Sequence, residues 1–527
     1  MAFMDRVPAR GSTPMEGMLD NPVSAPARPS LMQSAEVMLR VVLVTVAASA
    51  VLHACIAVVA DSAAYRATYD FSFYYDAALA YRDNSHANIY DPRVLQAAAH
   101  AHHVFLGVGV YQYPPLLPLL VMPLTFVGFQ TASRIWLFMN VVLWLIGTIL
   151  LAGLLRRALV GEELPRTRTH VHVADSVRSG NRIAARLTAA WSALSTADLF
   201  AYALATFISL TYAPLAQSLE LGQASMSIFF LIVLSIWLLR RGSLGWAGAV
   251  LGLATMIKLL PIILIAYFVL RGNWRVVGGA IGGIALLLLG IIVALSPQAV
   301  LDMGAIPANG ASDSMRFQNE ALARVPMWIA VALGGHPSAL WLAMGYALIG
   351  LVAIAFVAGV LMVTRRAVPA EESAGGPSHK RMTLSTLDFL GFGWTLCTMV
   401  LVSPIFWEHH AAWLLPALVF CLGYVVHQLS DTQRADEPAP APGRVLVILC
   451  ALLIGGYVLT MYALPFAYDT DSSYTIGPYF LHIPLRPAFM LLRPVGAVLL
   501  WVAAGALFLL LSKQSRQLPK SVREGTS

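Results

Sequence analysis

The sequence predicts an all-α polytopic membrane protein, and three observations support this fold class. Of its 527 residues, 58% are hydrophobic and only 12% are charged, whereas about a quarter of the residues in a soluble domain are charged. Apolar runs of about 20 residues, the length of a transmembrane helix, recur from Met38 to Leu511. Arginines and lysines cluster between these runs, which is typical of cytoplasmic loops. We expect a bundle of about 10–12 transmembrane helices.

Residues 37–512 are predicted to form a single transmembrane domain between two tails. Residues 1–36 are rich in Pro, Ala and Ser, which predicts a disordered cytoplasmic tail, and residues 513–527 form a basic cytoplasmic tail. The net charge of +7 does not indicate nucleic-acid binding, because the arginines form no basic domain. The four cysteines lie in apolar stretches without the spacing of a zinc site or a disulfide framework.

The arginines predict the topology of the first half. Several precede the first span at 37–60, so residues 61–114 should form the first extracytoplasmic loop. A second basic cluster predicts that residues 156–186 form a cytoplasmic loop. An odd number of crossings must therefore separate the two loops. Because residues 116–129 are short and rich in proline, we expect them to enter the membrane without crossing it, and 135–155 to form the second span.

The run 244–270 is expected to form a hairpin that also does not cross. Its two ends are basic, with Arg240 before it and Arg271 after it, and both ends should therefore be cytoplasmic. Lys258 and Pro261 interrupt the middle of the run. Two short helices that meet at an outward-facing tip near Lys258 would leave both ends of the run in the cytoplasm. The other apolar runs then give about ten full crossings.

Polar residues that interrupt the apolar pattern collect on the predicted extracytoplasmic side, which is how a membrane active site is built. Asp70 suits a general base that takes a proton from a hydroxyl group. The alternative is that Asp70 caps the helix through Ala77-Ala78. Asp76 would lie on a different helical face, and we expect it to meet solvent or to form a local salt bridge.

Lys258 and the segment Glu408-His409-His410 are candidate phosphate-binding groups. A lysine inside an apolar run needs an anion or an interface, so either a phosphate or a salt bridge to Glu220 would satisfy Lys258. Adjacent histidines diverge on a helix, which disfavours one shared metal; they could instead bind phosphate, share a proton or orient a sugar. Interfacial anchoring is the alternative function for this segment.

Two shorter polar segments complete the candidate site. Gly222 would let a helix begin close to a substrate, with Gln223 beside it, although a capped turn explains the same residues. Tyr113 precedes two prolines that force an extended step into the short helix. Tyr111 and Tyr113 could stack on a sugar, and an aromatic belt at the membrane interface is the alternative.

Several familiar catalytic motifs are absent from the sequence. Without a GxxxxGK[ST] phosphate loop, ATP-driven transport is not indicated. Neither a GxSxG nucleophile elbow nor an HExxH zinc motif occurs. The Asp-x-Asp pattern of soluble sugar-nucleotide transferases occurs only at Asp469-Thr470-Asp471, in a loop that should be extracytoplasmic, where a nucleotide-sugar donor would be out of place. We predict no metal site.

From about Asp70 to Pro416, the order of short motifs resembles glycosyltransferase family 87, whose members have the GT-C architecture, a transmembrane bundle with extracytoplasmic juxtamembrane helices. The similarity is to the polyprenol-phosphate-mannose-dependent α-mannosyltransferases. One departure is the segment Asn84-Ser85-His86-Ala87-Asn88, which replaces a glycine often found before the Tyr90 position. The matching residues are Asp70-Phe71, Tyr74, Ala77-Ala78, Tyr90-Asp91, Tyr113-Pro114-Pro115-Leu116, Gly222-Gln223, Gly248, Ala254, Lys258, Pro261, Ser403-Pro404, His409-His410 and Leu415-Pro416.

The resemblance implies a specific reaction and specific roles. Such enzymes transfer a sugar, with inversion, from a polyprenyl-phosphate donor to a lipid or glycan hydroxyl on the extracytoplasmic side of the plasma (inner) membrane. Asp70 matches the catalytic acid of the family and would be the general base. The donor would be bound by Lys258, His409, His410, Glu408, Gln223, Tyr113 and Tyr74. No cofactor is implied, and a divalent metal would have no obvious ligand set.

Two other classes of function remain as alternatives. A transporter or flippase of a lipid-linked or polar substrate would suit the many spans, the broken hairpin and the charge within the membrane. Against it, the sequence has no evident repeat linking its halves, and the polar residues collect on one side instead of at the midplane. A non-catalytic partner in polymer assembly is the third hypothesis.

Overall fold

The computed structural model describes residues 69–104, 111–160, 196–307, 309, 319–334, 336, 338–365, 386–434, 442–461, 466–467, 475–476 and 490–517. All of them belong to one compact unit, Val46–Ser527. The predicted N-terminal tail, the first span at 37–60 and most of the loop at 156–186 lie outside the described residues. The same holds for most of the C-terminal tail and for Asp469-Thr470-Asp471.

The described chain is helical almost throughout. Its first α-helices are α1 (Tyr69–Asp83), α2 (Pro92–Ala101), α3 (Leu116–Val121), α4 (Phe129–Val160), α5 (Thr196–Thr211), α6 (Ala213–Glu220), α7 (Ser225–Arg240), α8 (Leu244–Ile257) and α9 (Ile262–Leu270). They are followed by α10 (Trp274–Ala294), α11 (Pro297–Leu301), α12 (Val325–Ala332), α13 (Ala339–Arg365), α14 (Thr386–Leu401), α15 (Leu415–Arg434), α16 (Pro442–Met461) and α17 (Leu492–Gln517).

Short 3₁₀ turns and one small strand pair complete the described elements. The 3₁₀ turns are Met122–Phe126, Asp302–Ala305, Leu322–Arg324 and Glu408–Leu414. The strands β1 (Phe466–Ala467) and β2 (Thr475–Ile476) pair antiparallel, with Phe466 opposite Ile476. The Glu408–Leu414 turn leads directly into α15 and carries the two adjacent histidines.

Six helical segments among the described residues are long and apolar enough to cross a membrane: Phe129–Arg156, Trp274–Ala294, Ala339–Arg365, Glu408–Val426, Arg444–Met461 and Leu492–Lys513. Several shorter apolar helices pack among them. The fold class predicted from the sequence, an all-α polytopic membrane protein, is therefore confirmed. The count of 10–12 spans stays a prediction, since the first predicted span lies outside the described residues.

Two predicted segments near the start of the described chain, the first loop and the proline-rich run, form short helices. The predicted loop at 61–114 contains α1, so Asp70 and Asp76 lie on a helix. The proline-rich run forms α3 and a 3₁₀ turn, which together extend over Leu116–Phe126. Eleven helical residues are about half of the length that crosses a bilayer. This short helix agrees with the prediction that the run does not cross.

Helices α8 and α9 form the predicted hairpin, and glycines establish its direction. A Cβ at Gly248 would overlap the Val276 carbonyl, and a Cβ at Gly252 would lie 2.7 Å from the Ala280 carbonyl oxygen. Residue numbers increase together along the two contacting helices, so α8 and α10 run parallel. The intervening α9 must therefore run back towards the start of α8.

The break between α8 and α9 follows from Pro261. Proline has no N–H to donate to the carbonyl four residues earlier, and its ring clashes with that carbonyl, so α8 ends at Ile257. Lys258 has an extended backbone, with φ −151° and ψ 127°. The break places Lys258 at the tip of the hairpin, as the sequence predicts.

The close approach of α8 and α10 can be tested with one added methyl group. Gly248→Ala should lower the stability of the purified protein by about 1–3 kcal/mol, because the backbone of α10 cannot move away without losing its own packing. The matched control is Gly282→Ala, whose new Cβ would meet no atom within 4 Å. Thermal unfolding in detergent gives the melting temperature of each variant. Equal melting temperatures for the two variants would contradict the packing described here.

Candidate active site

Asp70 lies in the first turn of α1, where the helix dipole favours a negative charge. It is within the helix, so it is not the N-cap residue that the alternative hypothesis required. Its side chain is buried, with a relative exposure of 7% for the residue. Its backbone N–H donates to the Leu221 carbonyl at 2.9 Å, which ties the start of α1 to the turn between α6 and α7.

The Gln223 amide connects the Asp70 carboxylate to two tyrosines. Its Nε2 donates to Oδ2 of Asp70. Its Oε1 accepts from the hydroxyl of Tyr74 at 3.1 Å and from that of Tyr113 at 3.4 Å. Burial raises the pKa of Tyr74 well above its usual value, so this hydroxyl stays protonated and remains a donor. The Gln223 amide therefore has one orientation, with its nitrogen facing Asp70 and its oxygen facing the two tyrosine hydroxyls.

The turn that carries Gln223 depends on Gly222. Gly222 has a φ of +65°, a left-handed conformation that glycine adopts without the steric penalty of a side chain. The Gly222 carbonyl accepts from the indole N–H of Trp136 at 2.8 Å. These contacts hold the Gln223 side chain beside the first turn of α1. The prediction that Gly222 lets a helix begin close to a substrate stays a prediction.

Lys258 and His410 form a second polar pair. The Lys258 Nζ lies 2.7 Å from the His410 Nε2. The same ammonium lies 5.3 Å from the centre of the Tyr113 ring and 5.0 Å from that of Trp413, distances typical of cation–π contacts. The predicted alternative, a salt bridge from Lys258 to Glu220, is not among the ion pairs of the described residues.

The orientation of His410 is fixed by the contacts of its ring. Its Nδ1 lies 3.3 Å from the backbone nitrogen of Trp407. The imidazole is also stacked on Trp413, with ring centres 4.9 Å apart and planes 18° apart. The histidine is therefore held in one orientation, with Nε2 directed at Lys258.

Tyr113 joins the two polar pairs into one site. Its hydroxyl donates to Gln223, which holds Asp70, and its ring lies against the Lys258 ammonium. Lys258 and Asp70 are close enough to interact electrostatically. The structure thus brings together six of the predicted residues: Asp70, Tyr74, Tyr113, Gln223, Lys258 and His410. Tyr111, by contrast, is buried against the rings of Tyr90 and Tyr113.

Glu408 belongs to a second polar cluster, and His409 lies beside His410. The two histidine rings are nearly perpendicular, at 80°, so they diverge as the sequence predicts. His409 lies within electrostatic range of both Lys258 and Arg493. Glu408 accepts from the Gln217 amide at 3.0 Å and pairs with Arg493 at 3.2 Å. Neither residue contacts Lys258 in the way that His410 does.

Arg493 and Glu320 are polar residues of this cluster that the sequence analysis did not select. Arg493 begins α17, is buried, and forms ion pairs with both Glu320 and Glu408. Burial raises the pKa of Glu320 to about 7, against the attraction of Arg493, which lowers it. An arginine in the first turn of an apolar span was the available signal.

The prediction made for Asp76 is wrong. It was expected to meet solvent or to form a local salt bridge, but it is completely buried, and neither carboxylate oxygen has a hydrogen-bond partner. Burial raises the pKa of Asp76 to about 8, because desolvation disfavours the ionised carboxylate. The short helices packed on α1 exclude water from this face, and the linear sequence does not reveal that enclosure.

No three His, Cys, Asp or Glu side chains converge as a metal-ligand set within the described part of the chain. The polar groups of the site are instead one carboxylate held by an amide, a lysine beside a histidine, and tyrosine hydroxyls. This set can accept a proton at Asp70 and offer positive charge at Lys258. Both functions suit transfer chemistry at a hydroxyl group.

The buried state of Asp76 predicts a pH effect on stability. The folded pKa is raised, so Asp76 binds a proton on folding, and its contribution is lost as pH rises from about 4 to about 8. Asp76→Asn should therefore gain melting temperature over the wild type at pH 8, by about 3 °C or more, and gain less at pH 5. The control Asp83→Asn, at a half-exposed aspartate paired with His102, should show no such gain. If Asp76→Asn and the wild type differ in melting temperature by the same amount at pH 5 and pH 8, the raised pKa of Asp76 is contradicted.

Comparison with known protein families identifies one family. A family model described as glycosyltransferase family 87 matches residues 111–376, half of the chain. The match includes Tyr113, Gln223 and Lys258, whereas Asp70 precedes it and His410 follows it. No curated protein and no solved structure matches the chain. The chain belongs to glycosyltransferase family 87 and is a membrane glycosyltransferase.

Proposed function

We propose that this protein transfers a hexose, such as mannose, from a polyprenyl-phosphate sugar to a hydroxyl of a lipid or glycan acceptor. The observation that carries the proposal is the convergence of a buried carboxylate, Asp70, with a lysine–histidine pair across one tyrosine ring. Membership in a glycosyltransferase family supplies the reaction class. The sequence resemblance supplies the lipid-phosphate donor and the inverting stereochemistry.

Asp70 is the proposed general base. Its carboxylate accepts the proton of the acceptor hydroxyl while that oxygen attacks the anomeric carbon of the donor. Gln223 donates to Oδ2, which orients the carboxylate. The new glycosidic bond forms on the face of the sugar opposite the phosphate, so the configuration at the anomeric carbon inverts.

Lys258 and His410 are the proposed leaving-group site. When the bond between the anomeric carbon and the phosphate oxygen breaks, its electron pair stays with the polyprenyl phosphate. The 2.7 Å contact between Nζ and Nε2 requires one nitrogen to accept the proton of the other. An anionic oxygen between them would let both nitrogens donate, and this change stabilises the departing charge.

His409 and Glu408 are proposed to act at the rim of the donor site. Glu408 is held by its ion pair with Arg493, and His409 precedes His410 in the same 3₁₀ turn, so their effect on the donor would be exerted through the position of His410. The donor is already activated by its phosphate, so the proposed reaction needs no nucleotide or other cofactor.

The proposed location follows from the arginine pattern. With basic loops in the cytoplasm, Asp70 and the tip of the hairpin lie on the extracytoplasmic side of the plasma membrane, and both termini are cytoplasmic. The family match favours a transferase over a transporter.

Asp70 provides the first functional test. Asp70→Asn keeps the size of the side chain and removes the base, so sugar transfer should fall by about 100-fold or more. Purified protein, a radiolabelled polyprenyl-phosphate sugar and a lipid extract as acceptor source measure the rate. The matched control is Asp83→Asn, at the other end of the same helix. Full activity of Asp70→Asn would contradict the base assignment.

Lys258 provides the second test. Lys258→Met retains an apolar stem of similar length and removes the charge, so it should lower kcat by about 10-fold or more through weaker stabilisation of the leaving phosphate. Steady-state kinetics with a polyprenyl-phosphate sugar separate kcat from KM. Lys513→Met, in the basic segment at the end of α17, is a control that should behave as the wild type. An unchanged kcat for Lys258→Met would exclude Lys258 from the leaving-group site.

A further inference from the structure

A buried asparagine, Asn319, holds the chain just before the Glu408–Leu414 turn. The residue is completely buried. Its Nδ2 donates to the Pro404 carbonyl at 2.9 Å, and its Oδ1 accepts from the backbone N–H of Phe406 at 2.9 Å. The same oxygen accepts from the backbone N–H of Ala321 at 3.0 Å. The amide therefore uses both its donor and its acceptor on the short segment that leads into the turn.

The peptide unit between Phe406 and Trp407 links this segment to His410. Its carbonyl accepts from the backbone N–H of Glu320, the residue that follows the asparagine, at 2.8 Å. Its nitrogen belongs to Trp407 and lies 3.3 Å from the His410 Nδ1. Because a peptide unit is planar, a rotation that moves the carbonyl also moves the nitrogen. The contacts that hold this peptide therefore also determine what the His410 ring meets on its Nδ1 side.

Ion pairs tie the same two segments together. Arg493 pairs with Glu320 on one segment and with Glu408 on the other, the latter at 3.2 Å. Replacing this arginine would leave carboxylates without their cation in a largely enclosed site, and the loss of stability would obscure any effect on catalysis. The Asn319 amide is neutral. Its replacement changes hydrogen bonds without leaving a charge unpaired, so Asn319 is the residue that tests what this contact does.

We propose that Asn319 is a positioning residue for sugar transfer, because it holds the Phe406–Trp407 peptide and so keeps His410 directed at Lys258. The inference rests on the proposed function, which places His410 and Lys258 at the leaving phosphate. Asn319 acts through the His410 imidazole. Its removal should therefore lower the rate of transfer only while that imidazole is present.

A double-mutant cycle on kcat tests this dependence. In purified full-length protein with a polyprenyl-phosphate sugar, Asn319→Ala and His410→Gln should each lower kcat by about tenfold. The double variant should stay within about twofold of His410→Gln, because the ring that Asn319 orients is already gone. A merely structural role would reduce the active fraction by the same factor in both backgrounds, so the two losses would multiply to about a hundredfold.

Asn140→Ala is the matched control. Asn140 is also a buried asparagine, and its Nδ2 donates to a backbone carbonyl, that of Trp136, at 3.0 Å within α4. It therefore loses a comparable hydrogen bond at a distance in sequence from the histidine turn. Any loss of kcat in Asn140→Ala should be the same factor with and without the His410 substitution.

Asn319→Asp is a second, milder variant for the same cycle. It keeps an oxygen that accepts from the N–H groups of Phe406 and Ala321, and it loses only the donor to Pro404. Its loss of kcat should be smaller than that of Asn319→Ala and should likewise disappear in the His410→Gln background. The melting temperature identifies the folded variants, and Asn319→Asp decides the matter if Asn319→Ala does not fold.

Three results would overturn the inference: an unchanged kcat in a folded Asn319 variant, an unchanged kcat in His410→Gln, or losses that multiply in the double variant. Multiplying losses would leave the proposed function in place, since the wild type still transfers sugar and His410 still contributes to it. If the wild type transfers no sugar from a polyprenyl-phosphate donor, the proposed function fails, and the role of Asn319 fails with it.

Discussion

The Asp70 carboxylate is buried among apolar helices, and the structure around it depends on satisfying that group. A buried charge without hydrogen-bond donors is strongly disfavoured, and the Gln223 amide donates to this carboxylate. To bring the amide there, the chain makes a left-handed turn at Gly222 and ties the backbone of Asp70 to Leu221. The start of α1 and the start of α7 are consequently held together.

The turn that begins at Glu408 contributes to both a reactive pair and a supporting cluster. His410 is directed at Lys258 by its contact with the Trp407 backbone and by stacking on Trp413, whereas Glu408 pairs with Arg493. The arginine pairs with two glutamates from separate segments of the chain, the buried Glu320 and the partly buried Glu408. Removing one member of such a network would leave an uncompensated buried charge, so the cluster holds the histidine turn in place. The same turn begins α15, which links the reactive pair to the membrane bundle.

Much of the architecture could be predicted from the sequence because bilayers impose strong constraints on composition. Apolar runs of sufficient length predicted the long helices, and the proline content of residues 116–129 predicted a short one. Basic residues at both ends of 244–270, with Lys258 and Pro261 in the middle, predicted a hairpin. The glycine contacts between α8 and α10 agree with that hairpin. Six of the eight predicted site residues lie together, and motif order, more than any single residue, selected them.

By itself, the sequence determined the fold class, the hairpin break and the family resemblance, because hydropathy, proline and motif order are local properties of the chain. Only the tertiary structure decided how the polar groups are paired. It left Asp76 buried without a partner, matched Lys258 with His410 instead of Glu220, and brought Arg493 to Glu408. Burial and partnership depend on contacts between segments more than 100 residues apart, and the free energy of a buried charge is set by those neighbours and not by its position in the chain.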